Sequence, residues 1–393
     1  MIFACYILLY TNAVHDIFQR VWYNLAIDTK QSGGFMSAKY IRLANILRES
    51  IFQNTGNGIY KLPSEKELCE QYHMSRQTVR AALRLLTEER LIEKRKGSGS
   101  FSTGLGSMQN TIAVIVNFAE EYTTPSFLAS IKSVLAAKGY SIDVYPTCSR
   151  VSEERKILNH LKDASIRGLI VEGCKNALPN PNLDLYRQLM AKGIAILFAG
   201  DVYPGLENCA CIKEDNYYGG YLLAKHLVEL GHTKIAGIFQ IDELRGLERY
   251  LGFASALRDF NLPLPEELIV WYTAATLESL ESKSDTGFLT DLLRRNKGMF
   301  SAAICQNDEI AYWLIRELEY AELRVPEDMS VVSFDNSYMS DLNSVHITTL
   351  SHEKDIGAAT ASTLLQMIQG ETVFSEELSW ELVDKNSDAP YEK

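Results

Sequence analysis

The order of sequence signals between residues 62 and 101 constrains the fold of this chain more than any other feature. Ser64 is placed to cap a helix, because acids follow it in the first turn. Ser75 opens a second helix. In that helix apolar side chains recur at the spacing of one helical stripe: Val79, Ala82, Leu83 and Leu86. A basic, glycine-containing segment follows at residues 94–97. The sequence therefore predicts two short helices, a tight turn between them, and a basic hairpin.

The second of these helices carries side chains that can read DNA bases. Gln77, Arg80 and Arg84 fall on the face opposite the apolar stripe, and Arg76 lies in the exposed first turn. Arginine can donate to guanine O6 and N7, and glutamine can pair with adenine N6 and N7. A solvated helix face with ordinary surface charges is the alternative interpretation. The order of capped helix, turn, arginine-bearing helix and basic hairpin favours DNA binding.

The same ordered set resembles the winged helix-turn-helix of the GntR family of bacterial regulators. The family's LPSE, SR-x-TVR and Gly-Thr-Phe-like wing patterns have counterparts at residues 62–65, 75–80 and 97–101. The resemblance implies a winged helix-turn-helix DNA-binding domain over residues 37–102. The residues expected to contact DNA are Lys66, Ser75, Arg76, Gln77, Thr78, Arg80, Lys96 and Gly97.

Charge and cysteine content limit the class of protein. The formal net charge is −11, yet residues 37–101 hold twelve lysines and arginines against seven glutamates. A basic head on an acidic body confines the attraction for phosphate to the head. The seven cysteines include no CxxC pair, which favours reduced thiols packed as small hydrophobic groups in a cytoplasmic protein.

Two segments are predicted to lie outside the folded domains. Residues 1–36 open with ten apolar residues, too few to span a bilayer, and lack the features of a secretory signal. We interpret them as a non-native or disordered N-terminal extension, because Met36 stands just before the first helix of the head; a poorly ordered arm is the alternative. Residues 103–110 belong to a Gly/Ser-rich stretch and are interpreted as a flexible linker.

From residue 111 short apolar runs alternate with amphipathic stretches. The runs are 112–118, 142–145, 168–172, 194–199, 235–239, 268–272, 302–305 and 330–334. This rhythm predicts an α/β architecture of parallel strands covered by helices. Because some 280 residues is large for one lobe, we expect residues 111–393 to form two lobes with doubly wound parallel sheets around a cleft.

Ligands of such sheets bind beyond the carboxyl ends of the strands, so the polar residues that follow the runs are candidates. They are Glu172, Asp201, Asn307, Asp308, Asp335 and Asn336, with Arg249 at the entry to the predicted helix RYLGFASAL. Carboxylates, amides and one guanidinium suit a neutral polyhydroxylated ligand, and Phe127, Tyr122 or Tyr272 could stack on its apolar face. Taken singly, each polar residue is better explained as a helix cap or a loop contact, as Asp215 is.

The body resembles the LacI/GalR-type sugar-binding regulators over nearly all of residues 111–390. The matching stretches are 167–172, 215–220, 230–235, 249–253, 306–308, 325–330, 334–336 and 348–350. The resemblance implies a periplasmic-binding-protein-like domain that binds an effector and forms dimers. The ligand-binding positions that the resemblance implies are Phe127, Arg249, Asn307 and Asp335. Glu172, which follows a predicted strand, is the fifth expected position.

A GntR-type head on a LacI/GalR-type body resembles the arabinose-responsive repressors of Gram-positive bacteria. The resemblance implies a homodimeric repressor that binds double-stranded operator DNA and is released by L-arabinose or a related pentose. We expect no enzymatic activity, cofactor, metal or membrane association, because the chain contains no GxGxxG, P-loop, GxSxG or HExxH motif. A regulator of the same architecture with a different sugar, a sugar-processing enzyme and a sugar-transport protein are the alternatives.

Overall fold

The structure is a computed structural model that describes residues 34–53, 59–88, 91–95, 98–103 and 110–391. Most of the interpreted N-terminal extension and linker, residues 1–33 and 104–109, lies outside the described residues. No helix in the described part of the chain is long and apolar enough to cross a bilayer.

The described part of the head contains three helices and a two-stranded hairpin, and the last two helices and the hairpin are those that the sequence predicts between residues 62 and 101. In chain order they are α1 (Gly34–Gln53), α2 (Glu65–Tyr72), α3 (Arg76–Glu88), β1 (Ile92–Arg95) and β2 (Gly99–Ser102). The predicted N-cap of α2 is confirmed. Ser64 Oγ accepts from the Glu67 backbone N–H at 3.3 Å, and Glu67 Oε2 accepts from the Ser64 N–H at 2.7 Å. This reciprocal capping satisfies two backbone donors that would otherwise be exposed at the helix end.

The core of the head comes from one apolar stripe on each helix. All four predicted stripe residues of α3 are buried, together with Leu43 and Leu47 of α1 and Leu68 of α2. Burial of aliphatic side chains of this size stabilises a small domain by about 1.5–3 kcal/mol each. The stripe therefore fixes which face of α3 is left for solvent and DNA.

The body alternates strands and helices along the chain. In order they are β3 (Thr111–Val116), α4 (Thr124–Ala136), β4 (Ser141–Pro146), α5 (Val151–Asp163), β5 (Gly168–Val171), α6 (Leu183–Ala191), β6 (Ala195–Ala199), β7 (Ala210–Glu214), α7 (Asn216–Glu229), β8 (Ile235–Gln240), α8 (Leu244–Asp259), β9 (Ile269–Tyr272), α9 (Ala274–Lys283), α10 (Gly287–Arg295), β10 (Ala302–Cys305), α11 (Asp308–Tyr320), β11 (Ser330–Phe334), β12 (Thr348–Ser351), α12 (Ile356–Ile368), β13 (Glu376–Leu378) and β14 (Glu381–Val383). Short 3₁₀ turns occur at Glu266–Leu268 and Tyr338–Asp341.

The strands form two six-stranded sheets, one in each lobe, which confirms the predicted doubly wound α/β architecture. The first has the order β13-β7-β6-β5-β3-β4 and is parallel throughout. The second has the order β14-β12-β11-β10-β8-β9, and only β14 runs antiparallel to its neighbour. Helices cover both faces of each sheet, so the strands are buried on two sides and read as continuous apolar runs.

The chain passes between the lobes three times. It leaves the first sheet after Glu214, returns between β12 and α12, and crosses again between β13 and β14. Helix α12 packs on the first lobe, and its Leu364 lies in the same apolar cluster as Ile131 of α4. The carboxyl ends of both sheets therefore open towards the crossover segments, which is where ligands of open α/β sheets bind.

Two glycines let α7 and α8 approach each other unusually closely. A Cβ at Gly220 would collide with the backbone oxygen of Arg249, and one at Gly252 would collide with that of Tyr217. The glycine-containing stretches that match the LacI/GalR pattern, 215–220 and 249–253, are therefore the two sides of one helix contact. This contact sets the position of Arg249 beside the interlobe crossover.

Candidate functional site

The exposed face of α3 is held in place by its own first turn and by α2. Ser75 Oγ accepts from the Thr78 N–H at 3.2 Å and thereby caps the helix. Arg80 Nε donates to Glu65 Oε2 at 2.9 Å, and Arg76 Nε approaches the same oxygen at 3.4 Å. The hydrogen bond from Arg80 is the main reason that the pKa of Glu65 lies below its ordinary value. One carboxylate on α2 thus orients two guanidinium groups on α3.

The structure exposes most of the expected DNA-binding residues that it describes. Gln77 is exposed between the two arginines, and Lys66 is exposed on α2, where it faces Glu70 at 4.0 Å. Arg95 of the hairpin lies over the Phe101 ring, with its guanidinium carbon 4.5 Å from the ring centroid. Lys96 and Gly97 lie outside the described residues. The arrangement offers hydrogen-bond donors for base edges on α3 and cations for phosphates beside it.

The second candidate site is a cavity of about 320 Å³ between the two lobes. Its walls are rich in carboxylates and amides from both lobes. The polar residues that line the cavity include Asn117, Glu172, Asn176, Asp201, Glu214, Asn216, Glu243, Arg245, Asp335 and His352. Phe127 contributes an aromatic wall from the first lobe. A cavity of this volume has room for a small ligand such as a monosaccharide.

Of the five ligand-binding positions expected from sequence, Phe127, Glu172 and Asp335 line the cavity. Glu172 Oε2 accepts from the Asn117 backbone N–H at 2.8 Å, and burial raises the pKa of this carboxyl. Burial also raises the pKa of Asp335, although the charge of Arg249 opposes this effect. Asp335 adopts a φ of 99°, a conformation that non-glycine residues rarely occupy.

The unusual backbone of Asp335 is stabilised by a buried neighbour. Asp308 Oδ2 accepts from the Ser337 backbone N–H at 2.6 Å and from Ser337 Oγ at 2.9 Å, while Oδ1 accepts from Thr349 Oγ1 at 2.8 Å. Burial is the main reason that the pKa of Asp308 is raised to about 7. These bonds tie the start of α11 to the loop after β11, so Asp308 fixes the loop that presents Asp335.

Arg249 does not line the cavity, contrary to the expectation of a direct ligand contact. Its side chain is 1% exposed and each of its nitrogens has a protein acceptor. Nε donates to Asn216 Oδ1 at 2.8 Å, one terminal nitrogen donates to Glu214 Oε2 at 2.9 Å, and the other to the Gln306 backbone oxygen. The guanidinium also stacks on Phe334, 4.0 Å from the ring centroid. In this structure Arg249 joins the first crossover to the second lobe.

Asn307 and Tyr272 also differ from their expected positions. Asn307 is 7% exposed, does not line the cavity, and accepts from the Ile310 N–H at 3.0 Å as the N-cap of α11. Tyr272 is buried in the apolar cluster of the second lobe, with its ring 5.7 Å from that of Phe288. Helix capping therefore accounts for Asn307, which agrees with the alternative interpretation given for it from the sequence. Core packing accounts for Tyr272.

Sequence reasoning missed several lining residues, of which Arg245 and Glu243 are the most prominent. The sequence suggested that a helix begins near Arg249, whereas α8 begins at Leu244. That prediction was wrong by more than a turn. A helical spacing of Leu244, Leu247 and Leu251 was a signal that could have corrected it. Glu214, Asn216 and His352 were missed because they lie on crossover segments whose proximity depends on the whole fold.

Two family models match the chain. The model for bacterial regulatory proteins of the gntR family covers residues 39–101. The model for a periplasmic binding protein-like domain covers residues 224–387. These matches cover the winged head and mainly the second lobe of the body.

Known relatives extend over nearly the whole chain. The arabinose metabolism transcriptional repressor of Halalkalibacterium halodurans is 31% identical over 349 residues, which span 86% of this chain and 91% of the relative. The protein of the same name from Geobacillus stearothermophilus is 31% identical over 341 residues, covering 85% and 92%. A solved structure of a periplasmic binding protein/LacI transcriptional regulator from Alkaliphilus metalliredigens, complexed with D-xylulofuranose, superposes with a TM-score of 0.60. It is 20% identical and covers 71% of this chain and 99% of the other, so it supports the fold alone.

Proposed function

The chain belongs to the family of arabinose metabolism transcriptional repressors, and from that premise we propose that it is a homodimer released from its operator by L-arabinose or a related pentose. Membership of this family makes the chain a sugar-responsive transcriptional repressor and not an enzyme. It binds DNA through the head and a sugar effector through the body. We place its action in the cytoplasm, where the operator DNA lies.

The observation that carries the proposal is the chemistry of the interlobe cavity. Glu172 of the first lobe and Asp335 of the second lobe offer carboxylate acceptors from opposite walls, and Phe127 offers an aromatic surface. A pentose has several hydroxyl donors and one apolar face, so it can use all three. Charge-assisted hydrogen bonds of this kind are about twice as strong as neutral ones. A ligand that contacts both walls stabilises the closed arrangement of the lobes.

Closure of the lobes is the proposed signal. A sugar can shift the balance between open and closed bodies only by binding the closed form more tightly. The altered body changes the placement of the two heads, and the affinity for the operator falls. By reciprocity, operator DNA must weaken sugar binding by the same factor. Calorimetric sugar titrations with and without a saturating operator duplex test this coupling, and equal affinities would contradict it.

Two groups of head residues have different proposed tasks on the operator. Arg76, Gln77 and Arg80 enter the major groove and contact base edges, because they occupy the exposed face of α3. Contacts to the sugar-phosphate backbone are assigned to Lys66, Ser75, Thr78, Lys96 and Gly97. The first group determines the sequence that is read, and the second positions the head on the duplex.

Dimerisation is assigned to the body, since one head reads only one half-site of a palindromic operator. Exposed apolar side chains on neighbouring turns of α7 and α8, Tyr217, Tyr218 and Leu251, are 41%, 47% and 55% exposed. Such residues support a protein–protein contact on this side of the second lobe. Sedimentation equilibrium of the full chain, free and with an operator duplex, tests the dimer; a monomer in both cases would refute it.

A thermal-shift screen of pentoses and hexoses is the direct test of the effector. Binding to the native state raises the melting temperature by mass action, and the rise grows with the logarithm of the ratio of sugar concentration to Kd. We expect L-arabinose to give the largest shift and to abolish the gel shift of an operator duplex. A different sugar that does both would favour the second candidate, a regulator of the same architecture with another effector.

A further inference from the structure

Helix α8 presents two arginines one turn apart, and only one of them faces the cavity. Arg249 is 1% exposed and donates to three protein acceptors, as described above. Arg245 lies in the first turn of the helix, lines the cavity, and has a side chain that is 34% exposed. The two guanidinium groups therefore have different opportunities to meet a ligand, although both belong to the same helix.

The hydrogen-bonding capacity of Arg245 is mostly unused within the described residues. Its Nε donates to Glu243 Oε2 at 2.6 Å, which fixes the inner part of the side chain. Neither terminal nitrogen donates to an acceptor anywhere in the part of the chain that the structure describes. The four remaining N–H groups form a planar fork that can donate to two neighbouring oxygens at once.

Carboxylates from both lobes surround this guanidinium. Burial alone would lower the pKa of Arg245, but the charges of Glu243, Glu121 and Glu172 outweigh that effect and raise it above its ordinary value. Glu121 and Glu172 belong to the first lobe, whereas Glu243 and Arg245 belong to the second. Arg245 is thus a permanent cation that offsets acidic groups on both sides of the cleft. It also supplies donors to a cavity that six carboxylates line.

We propose that Arg245 is the effector-binding arginine, with its terminal N–H groups donating to two adjacent oxygens of the sugar while the carboxylates of Glu172 and Asp335 accept from its hydroxyls. This inference rests on the proposed function, because it names a contact of the same site. A fork that donates to two adjacent oxygens depends on their relative configuration, so Arg245 selects among epimers of the same pentose.

Lysine in place of arginine separates charge from geometry at this position. Arg245→Lys keeps the positive charge that offsets Glu121 and Glu172, but it lacks the planar fork. We expect calorimetry to show L-arabinose binding about 10- to 100-fold weaker than in the wild type, the range for losing a hydrogen bond to a charged group. L-ribose is the C2 epimer of L-arabinose, and D-xylose is the C4 epimer. In Arg245→Lys the ratio of the L-arabinose affinity to the affinity for each epimer should move towards one.

Arg258→Lys is the matched control, since Arg258 lies on the same helix, pairs with Asp259 and has a side chain that is 71% exposed. It should leave both the affinity and the epimer ratios unchanged. Operator binding by Arg245→Lys without sugar should equal that of the wild type. A purely structural role for Arg245 would lower the melting temperature without changing the epimer ratios.

Three results would overturn the inference, and they can be told apart. If the wild type binds no pentose, the proposed function fails and the inference fails with it. If the wild type binds L-arabinose and Arg245→Lys retains the same affinity and epimer ratios, only the inference fails. A structure of the wild-type chain with L-arabinose in which both terminal nitrogens of Arg245 lie beyond hydrogen-bond distance of the sugar would also refute it, however the variants fold.

Discussion

The hydroxyl of Tyr122 in the first lobe donates a hydrogen bond to Oδ2 of Asp335 in the second lobe. This bond crosses the cleft beside the cavity that Asp335 lines. A second contact also joins the lobes, because the Leu244 backbone N–H of α8 donates to Asn176 Oδ1 at 2.7 Å. The arrangement of the lobes in this structure is therefore held by direct protein contacts. The energy of these contacts helps to set how strongly a sugar must bind to close the body.

Removal of the Tyr122 hydroxyl should make closure more dependent on the sugar. In Tyr122→Phe the ring is retained but one hydrogen bond to a carboxylate is lost, which is worth about 2 kcal/mol. We expect the sugar-free body to be more open, with a larger radius of gyration in X-ray scattering, and the sugar affinity to fall by up to roughly 30-fold. Tyr320→Phe, in a tyrosine that is 72% exposed at the end of α11, is the control. An unchanged radius of gyration would contradict the role of this contact.

Arg249→Ala should give a repressor that binds its operator but no longer releases it. The substitution leaves Glu214, Asn216 and the Gln306 backbone oxygen without their shared donor, and breaking a buried ion pair destabilises proteins by about 3–5 kcal/mol. We therefore expect a clearly lower melting temperature without sugar, together with loss of the sugar response in a gel shift below that temperature.

The melting temperature without sugar distinguishes the two possible tasks of Arg249. A residue that only contacts the ligand would leave the sugar-free melting temperature nearly unchanged when replaced. A positioning residue lowers it before any sugar is added. If Arg249→Ala has normal stability without sugar but no sugar response, the result would support the direct ligand contact that the family resemblance implies.

The fold could be predicted from the sequence because the central strands are buried on both faces. Each of the eight predicted apolar runs overlaps a strand between β3 and β11. The strands that were missed are β7, β12, β13 and β14. The last two are three residues long, begin with glutamate, and lie at sheet edges, where one side of the strand faces solvent. Edge strands of this kind lack the continuous apolar pattern on which the prediction depended.

The cavity could be predicted only in part, for a different physical reason. The rule that ligands bind beyond the strand ends placed Glu172 and Asp335 on its walls. The same rule gives no information about which polar side chain after a strand is satisfied by its neighbours. Arg249 is satisfied by Glu214, more than thirty residues earlier in the chain, through a contact that exists only after the lobes have formed. Side-chain partners across such distances are not encoded in any local spacing.

Arg80→Ala should weaken operator binding without changing the sugar affinity of the body. Arg80 is exposed on α3 and is oriented by Glu65, so its loss removes a base contact and leaves the core of the head intact. We expect a loss of about 1–3 kcal/mol in specific binding. Lys66→Ala should instead lower the slope of affinity against salt concentration by about one, with little change in sequence preference.

Filter-binding measurements on operator and scrambled duplexes at several salt concentrations separate these two effects. Arg295→Ala, an exposed arginine on α10 in the body, is the control for a general loss of positive charge. Equal losses on operator and scrambled DNA in Arg80→Ala would assign this arginine to the phosphates instead of the bases.

The pair formed by His352 and Glu214 should give the body a pH-dependent stability. The imidazole Nε2 lies 3.2 Å from Glu214 Oε1. Burial alone would lower the pKa of His352, but the bond to Glu214 outweighs it and raises the pKa above 6.5. The stabilising contribution of His352 is therefore complete below pH 6.5 and is lost as the pH rises through its raised pKa.

Glu214 behaves in the opposite sense. Burial alone would raise its pKa, but His352 and Arg249 lower it from 4.5 to about 2. Its contribution is present above pH 4.5 and is lost as the pH falls towards 2. The pair as a whole therefore stabilises the fold most between about pH 4.5 and 6.5. In Glu214→Gln we expect the pKa of His352 to fall below its wild-type value, because burial is then opposed only by the bond to the Ser379 backbone oxygen and the charge of Asp335.

Nuclear magnetic resonance titration of the seven histidines measures this shift directly, with His352→Asn identifying the signal. Because His352 and Glu214 both line the cavity, the sugar affinity of the wild type should change over the same pH range as this titration. A His352 pKa that stays the same in Glu214→Gln would show that the carboxylate does not hold the imidazole in its charged form.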